Sequence, residues 1–116
     1  MLLAALMITG AAVPVFAETI TFDVTIPGDF LSRRALKADS EQKFYVSATS
    51  FNKPGALQCT SYNLSNSSIY SYMATIRPSK LSDNKIYRST APAGQYYYMS
   101  TWSATSGLHV TGRYTP

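Results

Sequence analysis

The sequence predicts an all-β domain, an antiparallel β-sandwich of about six or seven strands behind a cleaved signal peptide. Three observations predict it. Apolar and polar residues alternate singly through most of the chain, the mark of half-buried strands. Clusters of Gly, Pro, Asn and Ser interrupt that alternation about every ten residues, a spacing typical of sandwiches and small barrels. No helix-period segment is long enough for a crossover between parallel strands, so antiparallel pairing is expected.

The N-terminal segment stands apart. Met1 to Ala17 reads MLLAALMITGAAVPVFA and carries no charge. Pro14 breaks the apolar run, and Val15-Phe16-Ala17 supplies the small residues of an A-x-A-like cleavage site. This predicts a secretory signal peptide, residues 1–17, cut between Ala17 and Glu18. The usual basic residue before the apolar run is missing. The run is short and broken for a membrane span, so membrane contact is expected only during export. A single domain, residues 18–116, follows. The predicted location is outside the cell or loosely on the cell wall.

The strands follow in order. Thr19 to Ile26 puts Ile20, Phe22, Val24 and Ile26 on one face, and Pro27-Gly28-Asp29 ends it. Phe30 to Gln42 fits either a helical turn or two or an irregular basic loop; a short helix there would need tertiary packing to persist. Lys43 to Phe51 is the second strand, closed by Asn52-Lys53-Pro54-Gly55. Ala56 to Asn63 places Leu57 and Cys59 together, and LSNSS, residues 64–68, is a loop. Ile69 to Arg77 gathers Tyr70, Tyr72, Ala74 and Ile76 on one face before Pro78. Lys85 to Arg88 is a short strand candidate. Gln95 to Trp102 and Leu108 to Tyr114 complete the set.

Composition narrows the function classes. The chain holds ten basic and six acidic residues, a net +4, and all of them lie after Ala17. That balance suits anionic envelope polymers or phospholipid surfaces. Nucleic acid is a poor partner for an exported chain. The one cysteine, Cys59, allows no intrachain disulfide and reads as a small buried apolar residue. The one histidine, His109, points away from Leu108 and Val110, so a Cys59/His109 dyad is not expected. A metal site needs several convergent ligands, and the acids are scattered. No catalytic residue, metal or cofactor is therefore predicted. Asn63-Leu64-Ser65 and Asn66-Ser67-Ser68 match the glycosylation triplet but read as plain loop.

Binding is the remaining class. Arg33, Arg34 and Lys37 form a basic cluster that could meet a polyanion. The segment APAGQYYYMSTWS, from Ala91, concentrates the aromatics. Period two sends Tyr96, Tyr98 and Trp102 to one face and Tyr97, Met99 and Thr101 to the other. Tyr96, Tyr98 and Trp102 are expected to form one packed row, with the buried face of the strand left open by the pattern. Tyr97 is the candidate for exposure, in a cross-strand ladder with Tyr45 or Tyr62 that could stack on sugars or a partner. The expected partners are an anionic cell-wall polymer, a glycan or another protein.

A resemblance adds to this reading. Ser32-Arg33-Arg34-Ala35-Leu36-Lys37, then Phe44-Tyr45-Val46, and the closing Gly112-Arg113-Tyr114-Thr115-Pro116 together look like a family of small secreted proteins from Gram-positive bacteria. The likeness implies export and carries over no catalytic residue. A second likeness is to secreted β-sandwich bacteriocins of the lactococcin type, which implies a toxin as the alternative function. The chain departs from that type in lacking its Trp- and His-rich opening segment.

Overall fold

The computed structural model describes residues 17–28 and 31–116. The predicted signal peptide lies outside the described residues except for Ala17. Eight strands follow in order: β1 Ile20–Thr25, β2 Ala35–Lys37, β3 Lys43–Phe51, β4 Leu57–Asn63, β5 Ala74–Ile76, β6 Ser82–Ile86, β7 Gln95–Trp102 and β8 His109–Thr115. They form two four-stranded sheets, ordered β1-β8-β3-β6 (sheet one) and β2-β7-β4-β5 (sheet two). Every pairing between neighbours is antiparallel. The predicted sandwich class holds, with one strand more than the sequence pattern suggests.

Alternation becomes burial where a strand has one face on the core. In β1, Ile20, Phe22 and Val24 are buried and the residues between them are exposed. In β4, Leu57, Cys59, Ser61 and Asn63 turn inward. The inner faces interdigitate in a cluster that includes Phe44, Val46, Leu57, Ile76, Met99, Val110 and Tyr114. Gly112 marks the closest approach inside sheet one. A Cβ there would lie 2.0 Å from the Ser47 carbonyl oxygen and 2.8 Å from the Phe22 ring, so only hydrogen fits.

The extra strand corrects the helix-or-loop expectation for Phe30 to Gln42. Ala35, Leu36 and Lys37 pair with Tyr97, Tyr96 and Gln95 of β7. Edge backbone groups need hydrogen-bond partners, and β7 supplies them. Three residues of alternation are too few to separate a strand from a helical turn by pattern alone.

One side of the sandwich is stitched by residues 70–72. Ser71 N–H donates to the Ser61 carbonyl of sheet two, while Tyr72 N–H donates to the Ile86 carbonyl of sheet one. Ser71 and Ala74 both face inward, three positions apart. The alternation expected through Ile69 to Arg77 therefore slips at Tyr72-Met73. That slip turns Tyr72 out, away from the face of Ala74 and Ile76.

At the centre, polar groups join the two sheets. The Ser61 hydroxyl lies 2.8 Å from the Tyr87 hydroxyl and 2.6 Å from that of Tyr114. Burial is the leading cause that pushes both phenols above the ordinary tyrosine range. They stay neutral and hydrogen-bonded, as buried polar groups must.

Candidate binding face

β7 decides which aromatics meet solvent. Tyr97, Met99 and Thr101 face the core, and Tyr96, Tyr98 and Trp102 face out. This overturns the expectation of an exposed Tyr97. Tyr97 is 0% exposed, its ring 5.5 Å from Tyr87 and its hydroxyl donating to the Pro92 carbonyl at 3.0 Å. Trp102 is 59% exposed. The physical reason is that Tyr97 and Met99 fill the inter-sheet space with the phenol anchored at the rim. Period two divides the strand but does not say which face the opposite sheet covers.

The outer face of sheet two carries a tyrosine ladder. Tyr62 pairs with Tyr98 in the β4–β7 register and bridges to Tyr70 on its other side. Register therefore places three rings in one row across the strands. Tyr62 and Tyr98 lie 5.5 Å apart at 13°, and Tyr62 and Tyr70 lie 5.5 Å apart at 26°. Such near-parallel rings overlap, so their faces are largely taken up by one another.

Arginines flank the row at both ends. The Arg34 guanidinium sits 4.4 Å from the Tyr96 ring centre. That of Arg88 sits 5.2 Å from Tyr70 and 5.2 Å from Tyr72. Each is held by cation–π attraction rather than by a carboxylate. Among the described residues, neither has an acidic partner within salt-bridge distance. From β2 across β7 and β4 to Tyr70 the span is about 14 Å, at the usual strand spacing. The face thus presents two separated guanidiniums with phenol edges between them.

The described acids are engaged elsewhere. Glu18 accepts the Leu36 N–H at 2.9 Å, and Asp23 meets His109 at 2.5 Å on the outer face of sheet one. Asp39 pairs with Lys37, Asp83 with Lys80, and Glu41 accepts from the Tyr45 hydroxyl. The cationic character of the tyrosine face is therefore not cancelled locally, apart from Glu18 beyond the edge of β2.

The predicted site residues scatter. Arg34 and Tyr62 belong to the face. Tyr45 lies on β3 of sheet one and cannot join a ladder with Tyr62. Its hydrogen bond to Glu41 is the main cause raising its phenol. Arg33 is exposed but lines a groove beside β1 with Thr21, Asp23 and Leu31. Lys37 is 0% exposed, which removes it from any binding surface. Its Nζ donates to Asp39 Oδ1 at 3.3 Å, to the Glu41 carbonyl and to the Pro116 carbonyl at 3.4 Å. It also lies 5.3 Å from the Tyr87 ring centre. Strand parity explains this: Lys37 shares the inward side with Ala35.

Sequence reasoning missed Tyr70, Tyr98 and Arg88. The parity of Tyr98 was read, but its face was assigned to a packed row. Arg88 follows β6 and carries no sequence signal, because only the stitch at residues 70–72 brings it over Tyr70. Cys59 and His109 do not meet: one is buried in β4 and the other sits on the outer face of β8. Burial pushes the Cys59 thiol far up, so its nucleophilic thiolate is scarce. Among the described residues, no group of three or more His, Cys, Asp or Glu side chains is placed to hold a metal ion.

No protein-family model, curated protein or solved structure matches the chain.

Proposed function

We propose that the chain is a non-catalytic binding protein, exported and acting at the cell envelope, that holds an anionic glycopolymer across the tyrosine face of sheet two. One observation carries this reading: Arg34 and Arg88 are fixed over tyrosine rings at opposite ends of the ladder, without carboxylate partners among the described residues. Held guanidiniums keep their N–H forks free for phosphate or carboxylate groups, which Arg recognises in bidentate fashion. The phenol edges between them suit the hydroxyls of a glycan backbone. The net +4 supplies long-range attraction to such a polymer.

The test is retention of the purified chain on an immobilised acidic polysaccharide and on a neutral one. Retention on the acidic polymer is expected, and it should weaken steeply from low to physiological salt. Arg34→Ala or Arg88→Ala should each weaken it about 2–5-fold, the range of exposed ion pairs. Equal retention on both polymers would sink the electrostatic part of the reading. Growth inhibition by the purified chain would instead favour the bacteriocin-like alternative.

A further inference from the structure

The row of outward residues on β7 continues past the ladder. Tyr96, Tyr98, Ser100 and Trp102 share one face, and Trp102 lies about 13 Å along the strand from Tyr98. Beside it, the turn Ile26–Gly28 and the strand end Ser100–Ser103 line a half-open cavity of about 370 Å³. That volume lies within the usual range of small-molecule sites.

Two features of the cavity wall are unexplained by folding. Trp102 is the most exposed of the large hydrophobic side chains, and among the described residues no aromatic ring or cation stacks on it. Thr101 is 4% exposed, and among the described residues its Oγ1 is the single buried side-chain polar atom without a hydrogen-bond partner. Buried hydroxyls are normally paired, because leaving one unpaired is costly. Ser103 Oγ accepts the Thr105 N–H at 3.1 Å, which leaves its own proton to donate. Among the described residues, those that line it are uncharged.

We propose that this cavity is a subsite for one neutral sugar ring. A pyranose has an apolar C–H face, which lies flat on the indole, and a rim of hydroxyls. One hydroxyl pairs with the unpartnered Thr101 Oγ1. Another accepts from Ser103. A charged ligand would lose its hydration here without a partner, and a purely apolar one would leave Thr101 unpaired. Trp102 shares the ladder's face while Thr101 turns inward, so the subsite lies at the end of β7 beside the ladder, and it rests on reading that face as the binding surface. It adds the chemistry of a ring that the two arginines do not read.

Trp102 is the only tryptophan, so the chain's indole fluorescence reports on this subsite alone. The experiment titrates the purified chain with glucose, galactose, mannose and N-acetylglucosamine, following that emission. At least one of the four is expected to give a saturable change. Thr101→Val keeps the shape and removes the hydroxyl; it should weaken binding about 3–10-fold, the worth of one hydrogen bond. The same variant should melt higher than the parent, because a buried unpaired group is gone. Thr101→Ser keeps the hydroxyl and should keep the response. Silence from all four sugars overturns the proposal, and so does undiminished binding by Thr101→Val. If the sugars are silent while acidic-polymer retention still depends on Arg34 and Arg88, the subsite alone has failed.

Discussion

Gly112 shows how one residue holds two strands together. Its missing side chain lets β8 pass close to Ser47 and beneath the Phe22 ring. Gly112→Ala should therefore cost about 1–3 kcal/mol as an overpacked core does. For a domain this small each kcal/mol lowers the melting midpoint by about 4–8 °C, and a thermal scan would show it. Asp83 makes the same point for charge. Burial pushes its carboxyl up, but the Thr75 and Asn84 N–H groups and Lys80 outweigh that and hold it below the ordinary range. A depressed folded pKa adds stability that is full above the unfolded value, about 3.9, and is lost as pH falls from there through the lower folded value. Asp83→Asn should flatten that acid loss, measurable as melting midpoint against pH. The buried phenols act at the other limit. Tyr87, Tyr97 and Tyr114 are all raised, chiefly by burial. A raised folded pKa stabilises fully below the unfolded value, about 10, and the benefit drains away above it. Ultraviolet titration should show these three phenols ionising above the ordinary tyrosine range. A single phase for all nine tyrosines would contradict that.

At the scale of elements, the tyrosine ladder is a consequence of register. Tyr62 stacks on Tyr98 and Tyr70 because β4 lies between β7 and the stitched segment. Tyr62→Ala removes two ring contacts worth about 0.5–1.5 kcal/mol each. It should thus destabilise more than Tyr98→Ala, which removes one, as chemical unfolding of the pair would reveal. The strands themselves were largely legible in the sequence. β1, β3, β4, β7 and β8 fall within a residue or so of their alternating segments, since period two over six or more residues has no rival reading. β2 was not legible, because three residues cannot establish a period. The site was half legible. Tyr62 and Arg34 were identifiable as outward-facing. Tyr97 was misplaced because parity divides a strand into two faces without saying which one the opposite sheet covers, and Lys37 because its segment read as a helical turn or basic loop. With Tyr on both sides of β7, hydrophobicity offered no tie-breaker. Arg88 depends on a contact between segments far apart in pattern, which no local signal encodes.

At the scale of the molecule, the two sheets divide the work. Sheet one carries its acids paired on or beside its outer face, with Asp23 on His109 and Glu41 on Tyr45. Sheet two carries the ladder, the guanidiniums of Arg34 and Arg88 over tyrosine rings, and Trp102. The single cysteine is buried and forms no staple, so stability rests on the packed core and on the Ser61–Tyr87–Tyr114 network. A rigid face on regular strands is well suited to holding an extended ligand, because its side chains lose little freedom on binding.

The most direct measurement compares two charge-matched double variants for retention on an acidic polysaccharide at low salt. Arg34→Ala with Arg88→Ala strips the ladder of its flanking cations. Lys85→Ala with Arg113→Ala removes the same charge from exposed positions on sheet one. If the tyrosine face is the binding surface, the first pair loses retention at least fivefold more than the second. Equal losses from both pairs would show that net charge alone governs attachment and would contradict the account.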